Sequence, residues 1–227
     1  LMKFRKDIDD MFSRRGYRLL AFFDTGFLYM FINKKISSVE DIKNIKFGTW
    51  FGEIEKTTLD ELKAKNSIVP VPEIPMFLKT GLIDSDIAPL AWQLATQAFI
   101  HTNFFIEQPF FYSPAAVFLD KRQLKTFENQ YAPGFGREII DYAADVIARN
   151  EKDWRAEIRD YEKKCIVNFI NSGRKPISLS QPDMEILYNA ARNVRKKLAG
   201  KMYSQDLLSR VDTCLLYTSP SPRDRTR

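Results

Sequence analysis

The chain has 227 residues, 44% of them hydrophobic, enough for one large core or two small ones. No run approaches the roughly eighteen apolar residues that a membrane span requires, so the sequence contains no span of its own. The formal charge of +6 comes from lysines and arginines that alternate with acids along the predicted helices, a pattern of solvated faces that gives nucleic acid no basic stripe.

From Phe4 to Arg15 the apolar residues Phe4, Ile8, Met11 and Phe12 share one helical face, and Arg14-Arg15-Gly16 supplies a cationic last turn and a glycine stop. Tyr17 to Phe23 reads as a strand, Asp24-Thr25-Gly26 as a turn and Phe27 to Ile32 as a second strand. Ser37-Ser38 can cap a short helix from Val39 to Ile42. A strand from Lys46 to Trp50 leads into a helix from Glu53 to about Lys65, where Glu53 suits the exposed amides of a helix start. A strand at Ile68 to Val71, a helix from about Pro72 to Lys79, a short strand at Leu82 to Asp84 and a helix from about Pro89 to Ala98 follow. Short β-like runs alternating with amphipathic helical runs are how parallel α/β units are written.

The segment from Asn103 to Leu119 is aromatic and β-branched, and Pro109 and Pro114 bend it into one or two strands. A short helix spans Arg122 to Glu128, and Tyr131-Ala132-Pro133-Gly134 breaks the chain. One helix can then run from Gly136 to Ile170, burying Ile139, Ala143, Ile147, Trp154, Ile158, Tyr161, Cys165 and Phe169. Such a helix would exceed about 45 Å, longer than one small lobe is wide, and so suits a spine shared by two lobes. Lys175 to Leu179 forms a short strand, with helices at Gln181 to Ala199 and Ser204 to Val211. No internal repeat is present.

Three phrases in fixed order carry a family resemblance: Val39-Glu40-Asp41-Ile42-Lys43-Asn44-Ile45-Lys46-Phe47-Gly48, then Val71-Pro72, then Leu78-Lys79-Thr80-Gly81-Leu82-Ile83-Asp84-Ser85-Asp86-Ile87-Ala88-Pro89. The chain resembles the DctP-type solute-binding proteins of TRAP transporters, from about Phe4 through Asp212. The resemblance implies an α/β, periplasmic binding protein type II-like two-lobed fold, here a fragment with a long spanning helix. It divides the chain into a remainder of the first lobe (1–26), a second α/β lobe (27–115), a return strand and spine helix (116–170), C-terminal helices (171–212) and a tail (213–227). It further implies a periplasmic protein with its signal peptide ahead of Leu1, which makes Leu1 an internal start. A small organic ligand would sit between the lobes at strand ends, and the partners would be the two permease subunits, driven by an ion gradient. No cofactor is implied.

The departures from the family pattern bear on the ligand. An arginine that clamps the ligand carboxylate in the family stands where this chain has Gly48; a second follows Gly-Phe, where Gly26-Phe27 is followed by Leu28; and the asparagine before proline is Ala88. None of these can give the bidentate bonds of a guanidinium fork. Phe47-Gly48-Thr49-Trp50-Phe51-Gly52-Glu53 is closer to an arginine-less branch, so the ligand is expected to be neutral, amphipathic or lipid-like. Trp50 and Phe51 either stack on it or pack as core aromatics. Phe27, Leu28, Asp86, Ala88, Pro89, Phe110 and Tyr112 fall on the family's cleft segments, with Asp86 and Pro89 in a loop and Tyr112 offering a hydroxyl on an apolar body. Core packing is the alternative for each ring.

Cys214 through Asp224 resembles the translation of a transposase adapter used in sequencing libraries, and residues after about Asp212 are set aside as non-native. Removing Thr213 to Arg227 takes away three arginines and one aspartate, which lowers the charge from +6 to +4. Cys165 is then the one natural cysteine, so no internal disulfide forms. An enzyme reading would rest on His101, the only histidine, as base, but no nucleophile pairs with it in sequence. There is no glycine-rich phosphate loop and no clustered metal-ligand motif, Asp84-x-Asp86 being too common a spacing. A sensory module reusing the same fold without a permease stays open.

Overall fold

A computed structural model describes residues 4–50, 52–131 and 133–218 and shows a mixed α/β fold. Two compact units interleave along the chain: Leu1–Tyr29, Ala88–Gln97 and Pro109–Gly173 form the first, and Met30–Ile87, Ala98–Gln108 and Arg174–Arg227 the second.

In the second unit the strand order is β3-β2-β4-β1-β5-β7. Strand β2 (Lys46–Thr49) is parallel to both β3 (Lys65–Ile68) and β4 (Ser85–Pro89). The end of β1 (Tyr17–Ile32) is antiparallel to β5 (Phe104–Ile106), which lies parallel to β7 (Lys175–Ile177). Parallel neighbours need helical crossovers, supplied by α2 (Glu53–Glu61) and α3 (Ile74–Thr80). Sheets covered on both faces read as unbroken apolar runs, and here Met30, Phe31, Ile32, Phe47 and Phe105 are all fully buried.

Helix α7 (Gln181–Leu198) packs against α2, where the Asn193 amide donates to Glu61 at 2.8 Å and Lys197 pairs with the same carboxylate. Its start is a reciprocal capping box of Ser180 and Asp183, and Asp183 also accepts the Val39 amide at 2.9 Å, which ties α7 to the 3-10 turn Val39–Asn44. Arg174 donates to the carbonyls of Phe99, Ile100 and Thr102 at 3.1, 2.9 and 2.7 Å and so holds the 3-10 turn Ala98–His101. Helix α8 (Gln205–Thr218) closes the described chain.

The first unit is built on the earlier part of β1, antiparallel to β6 (Phe111–Asp120). Helices α1 (Arg5–Arg14), α4 (Leu90–Thr96), α5 (Lys121–Tyr131) and α6 (Gly136–Asn171) belong to it. Phe12 and Tyr17 pack on the Phe118 ring at 5.3 and 5.1 Å, and Phe23 stacks on Trp154 of α6 at 4.9 Å. The 36 residues of α6 give a helix of about 54 Å.

Several local expectations change. Residues 24–26 do not separate two strands: β1 is continuous, and its register against β6 shifts between Asp24 and Phe27 at a bulge that Gly26 accommodates with φ +92°. The third strand ends at Ile68 instead of beginning there: the Val69 amide makes a last bond to the Thr49 carbonyl at 3.0 Å, and Pro70 and Pro72 have no ladder donor to go on. The fourth begins at Ser85 and not at Leu82, since Leu82 is exposed and the Asp84 carboxylate accepts the Lys46 amide at the start of β2 at 3.1 Å. On α6, Ile139 and Tyr161 face solvent, while Ile140 and Glu162 are buried. Helix α8 continues past Val211 to Thr218.

Candidate functional site

In the second unit Gly48 pairs in register with Asp86 across β2 and β4, and both are buried. A Cβ added at Gly48 would stand 2.6 Å from the terminal methyl of Ile83 and 3.5 Å from a Val69 methyl. The place of the expected arginine is therefore filled by apolar side chains. Trp50 is half-buried just past the end of β2. Phe51 lies outside the described residues. Asp86 sits inside β4 and not in a loop, fully buried, with Ala88 equally buried and Pro89 half-buried at the start of α4. Asp84 is engaged by the Lys34 ammonium at 2.8 Å and the Lys46 amide at 3.1 Å, which leaves Asp84-x-Asp86 poorly suited to a cation. Among the described residues no cluster of metal-ligating side chains occurs.

In the first unit the structure brings together Phe27, Leu28, Phe110 and Tyr112. Phe27 and Tyr112 are register partners on β1 and β6, with rings edge-on at 5.6 Å. Leu28 is buried and its carbonyl accepts the Phe110 amide at 2.8 Å. The Phe110 ring meets Phe111 at 4.8 Å and is half-buried, whereas Tyr112 is exposed.

Onto this pair of rings α6 delivers a group that the sequence pattern does not mark out. The Arg159 guanidinium carbon lies 4.4 Å from the Phe27 ring centroid and 6.0 Å from that of Tyr112, within reach of cation–π attraction. Arg159 donates to Glu162 at 2.6 Å, and the other oxygen of Glu162 accepts the Phe27 amide at 2.7 Å. A Cβ on Gly26 would lie 2.6 Å from that oxygen, so the carboxylate approaches the bulge as closely as a glycine allows. Burial pushes the Tyr29 hydroxyl pKa up, Glu162 adds to the rise and Arg159 partly offsets it, which keeps the phenol neutral. The spacing did hold a signal for Glu162, which stands four residues after Ile158 and three before Cys165 on the same apolar stripe. A carboxylate in that stripe requires buried partners.

His101 ends a 3-10 turn, and among the described residues no hydrogen bond joins it to a hydroxyl, thiol or carboxylate. Burial pushes the Cys165 thiol pKa up, against the opposing hydrogen bond from Tyr161, so the thiolate is disfavoured. Among the described residues no helix is long and apolar enough to cross a membrane.

Comparison with known proteins bears on the family and the fold. The sequence model of bacterial extracellular solute-binding protein, family 7 (DctP), matches residues 2–202. No curated protein sequence matches the chain. Among solved structures, a TRAP periplasmic solute-binding protein from Desulfovibrio desulfuricans with bound sn-glycerol-3-phosphate superposes with a TM-score of 0.81 at 19% identity, over 95% of this chain and 67% of its own. One from Desulfovibrio salexigens with bound orotic acid gives 0.74 at 17% identity, over 86% of this chain and 60% of its own. One from Haemophilus influenzae with bound L-gulonate gives 0.78 at 16% identity, over 92% and 66%. The chain thus shares their fold and spans 60–67% of their length.

Proposed function

We propose a capture function that proceeds from kinship: the chain belongs to the DctP family, bacterial extracellular solute-binding protein family 7. In this reading it is the periplasmic, non-enzymatic binding subunit of a TRAP-type transporter. It takes up a small organic ligand and hands it to the membrane permease.

The ligand proposed is amphipathic, with an apolar body gripped by ring faces and shape. The observation that carries this is the packing at Gly48, where the Ile83 and Val69 methyls occupy the space a clamp side chain would need. Leucine at position 28 and alanine at 88 add no donor. The three structural neighbours are described with glycerol phosphate, orotic acid and gulonate, small polar acids, and the proposal sets this chain apart from them by the size of the apolar part. Pockets of this kind are largely apolar with a few placed polar groups, and within the first unit the rings of Phe27 and Tyr112 would provide such a surface.

Native mass spectrometry of the protein purified without added solute, as this chain and as the complete gene product, tests the reading. A co-purified molecule with an alkyl or aryl body is the expected result. A small sugar acid or phosphate ester in its place overturns the ligand assignment, and failure of the gene product to bind any solute overturns the capture function.

A further inference from the structure

We propose that the C-terminal end of helix α7 is a docking surface for anionic phospholipid headgroups, built by Arg192, Lys196 and Lys201 and flanked by Tyr188 and Met202. The inference goes beyond the capture reading and does not depend on a solute, because it concerns how the second unit meets a membrane surface.

The alternation of charge along the helices breaks at one place. From Arg192 to Lys201 five cations, Arg192, Arg195, Lys196, Lys197 and Lys201, stand in ten residues with no acid among them. Two are engaged: Lys197 pairs with Glu61, and Arg195 lies 3.7 Å from Asp212. Arg192 donates to the Asn189 side chain, and among the described residues neither it nor Lys196 nor Lys201 meets an acid, although all three are exposed. Lys201 is folded back onto the helix end: its amide and that of Met202 bond the Leu198 carbonyl at 3.1 and 3.0 Å, and Gly200 makes the turn with φ +83°.

Helix stability does not account for this arrangement. Cations favour a helix C-terminus, but the effect fades within the last turn, and Arg192 stands more than one turn before Leu198. Arg192 and Lys196 are like charges four residues apart, which destabilises a helix, and a local cost that the fold does not offset points to a task at the surface. Tyr188, Arg192 and Lys196 follow one another in four-residue steps along one face, so an exposed ring lies in line with the cations. Tyr188 is 56% exposed and Met202 43%. A phenol on an apolar body suits the headgroup level of a bilayer, and lysine stems can lie on apolar surface while their ammonium groups stay in water. Lysine is depleted at protein–protein interfaces, which strip water from the groups they bury, whereas a layer of phosphates attracts hydrated ammonium ions. Nucleic acid, another taker of basic patches, is remote from a family of extracellular proteins.

Co-flotation with vesicles of phosphatidylglycerol and phosphatidylcholine at about three to seven, against phosphatidylcholine alone, tests this on the chain and on the complete gene product, with no solute added. Each cation near an anionic surface is worth about fivefold in partition, so the triple variant Arg192→Gln, Lys196→Gln and Lys201→Gln should lose about a hundredfold on the mixed vesicles. A control that removes the same charge from exposed positions of the first unit, Lys125→Gln, Lys152→Gln and Lys163→Gln, should stay within about threefold of the parent. Raising salt to about 1 M, where the Debye length shrinks to about 3 Å, should release the parent from the vesicles. Circular dichroism verifies that both triple variants fold. Equal partition onto neutral and mixed vesicles, no partition onto either, or an equal loss in the control overturns the proposal and leaves the capture reading standing. Binding to poly-L-glutamate with none to the vesicles assigns the patch to an acidic polypeptide and overturns the lipid surface.

Discussion

Glu162 accepts the backbone amide of Phe27 at 2.7 Å, joining the C-terminal half of a long helix to the bulge of a strand 135 residues earlier. The bulge displaces the ladder and would leave the Phe27 amide without a strand partner. A carboxylate supplied from α6 resolves this, and its second oxygen orients Arg159 over the Phe27 ring. One buried acid therefore fixes both the backbone and the cation of the candidate site.

Glu162→Ala should destabilise the first unit by about 2–3 kcal/mol, since it strands an amide and releases a part-exposed arginine. Glu162→Gln, which keeps an acceptor but no charge, should cost about half as much. Urea unfolding followed by tryptophan fluorescence reads both, helped by Trp154 stacked on Phe23 in the same unit. A loss below about 0.5 kcal/mol for the alanine variant would place Glu162 among ordinary surface acids.

Gly48 and Ile83 should behave as a coupled pair. A Cβ at position 48 meets only the terminal methyl of Ile83 at under 3 Å, so Gly48→Ala is expected to cost about 1–3 kcal/mol by overpacking. Ile83→Val removes that methyl and alone costs about 1 kcal/mol. In the double variant the clash is gone, and the summed losses should be undercut by about 1 kcal/mol in a double-mutant cycle. Additive losses would mean that Ile83 does not fill the space beside Gly48.

The alternation of short strands and helices is legible because burial writes it directly: the pattern predicts one helix from Gly136 to Ile170, and the structure ends it one residue later. The Gly26 bulge was not, since Asp24-Thr25-Gly26 carries the composition of a turn and only pairing with β6 keeps it extended. Counting in threes and fours puts Ile139 in the stripe, but Ile140 is the one that faces the core, an ambiguity that two adjacent isoleucines leave to packing. At the candidate site the rings of Phe27 and Tyr112 came from the resemblance, and Gly48 came with them. Arg159 did not, because an exposed-looking arginine three residues before a glutamate is the pattern of any solvated helix, and only the bulge distinguishes it.

Acid should weaken the start of α7. The Ser180 hydroxyl and then the Val39 amide hold the Asp183 carboxyl below its ordinary value of 3.8. A carboxyl lowered in the folded state adds stability that is present above 3.8 and is lost as pH falls through the folded-state value. Asp183→Asn should thus be less stable than the parent at neutral pH, by about 1 kcal/mol as for a lost cap, and the gap should close as pH drops below about 4. Thermal melts of both proteins across that range would show parallel curves if Asp183 were not the titrating group.

Arg174 should govern the turn that carries His101. Its Nη1 reaches the carbonyls of Phe99, Ile100 and Thr102 within 3.1 Å, satisfying acceptors at the end of a 3-10 turn that no helix continues. Beside it, the Asn103 amide bonds the Ile32 carbonyl at 3.2 Å and the Lys175 amide bonds the Asn103 carbonyl at 3.0 Å, so the turn leads directly into the ladder of the second unit. Arg174→Ala should cost about 2 kcal/mol, and hydrogen exchange should quicken first at residues 99–104. Arg174→Lys should restore part of the protection, because an ammonium can still serve carbonyls from one nitrogen. Exchange that quickens equally in β6, within the other unit, would mean that Arg174 acts on global stability and holds no particular turn.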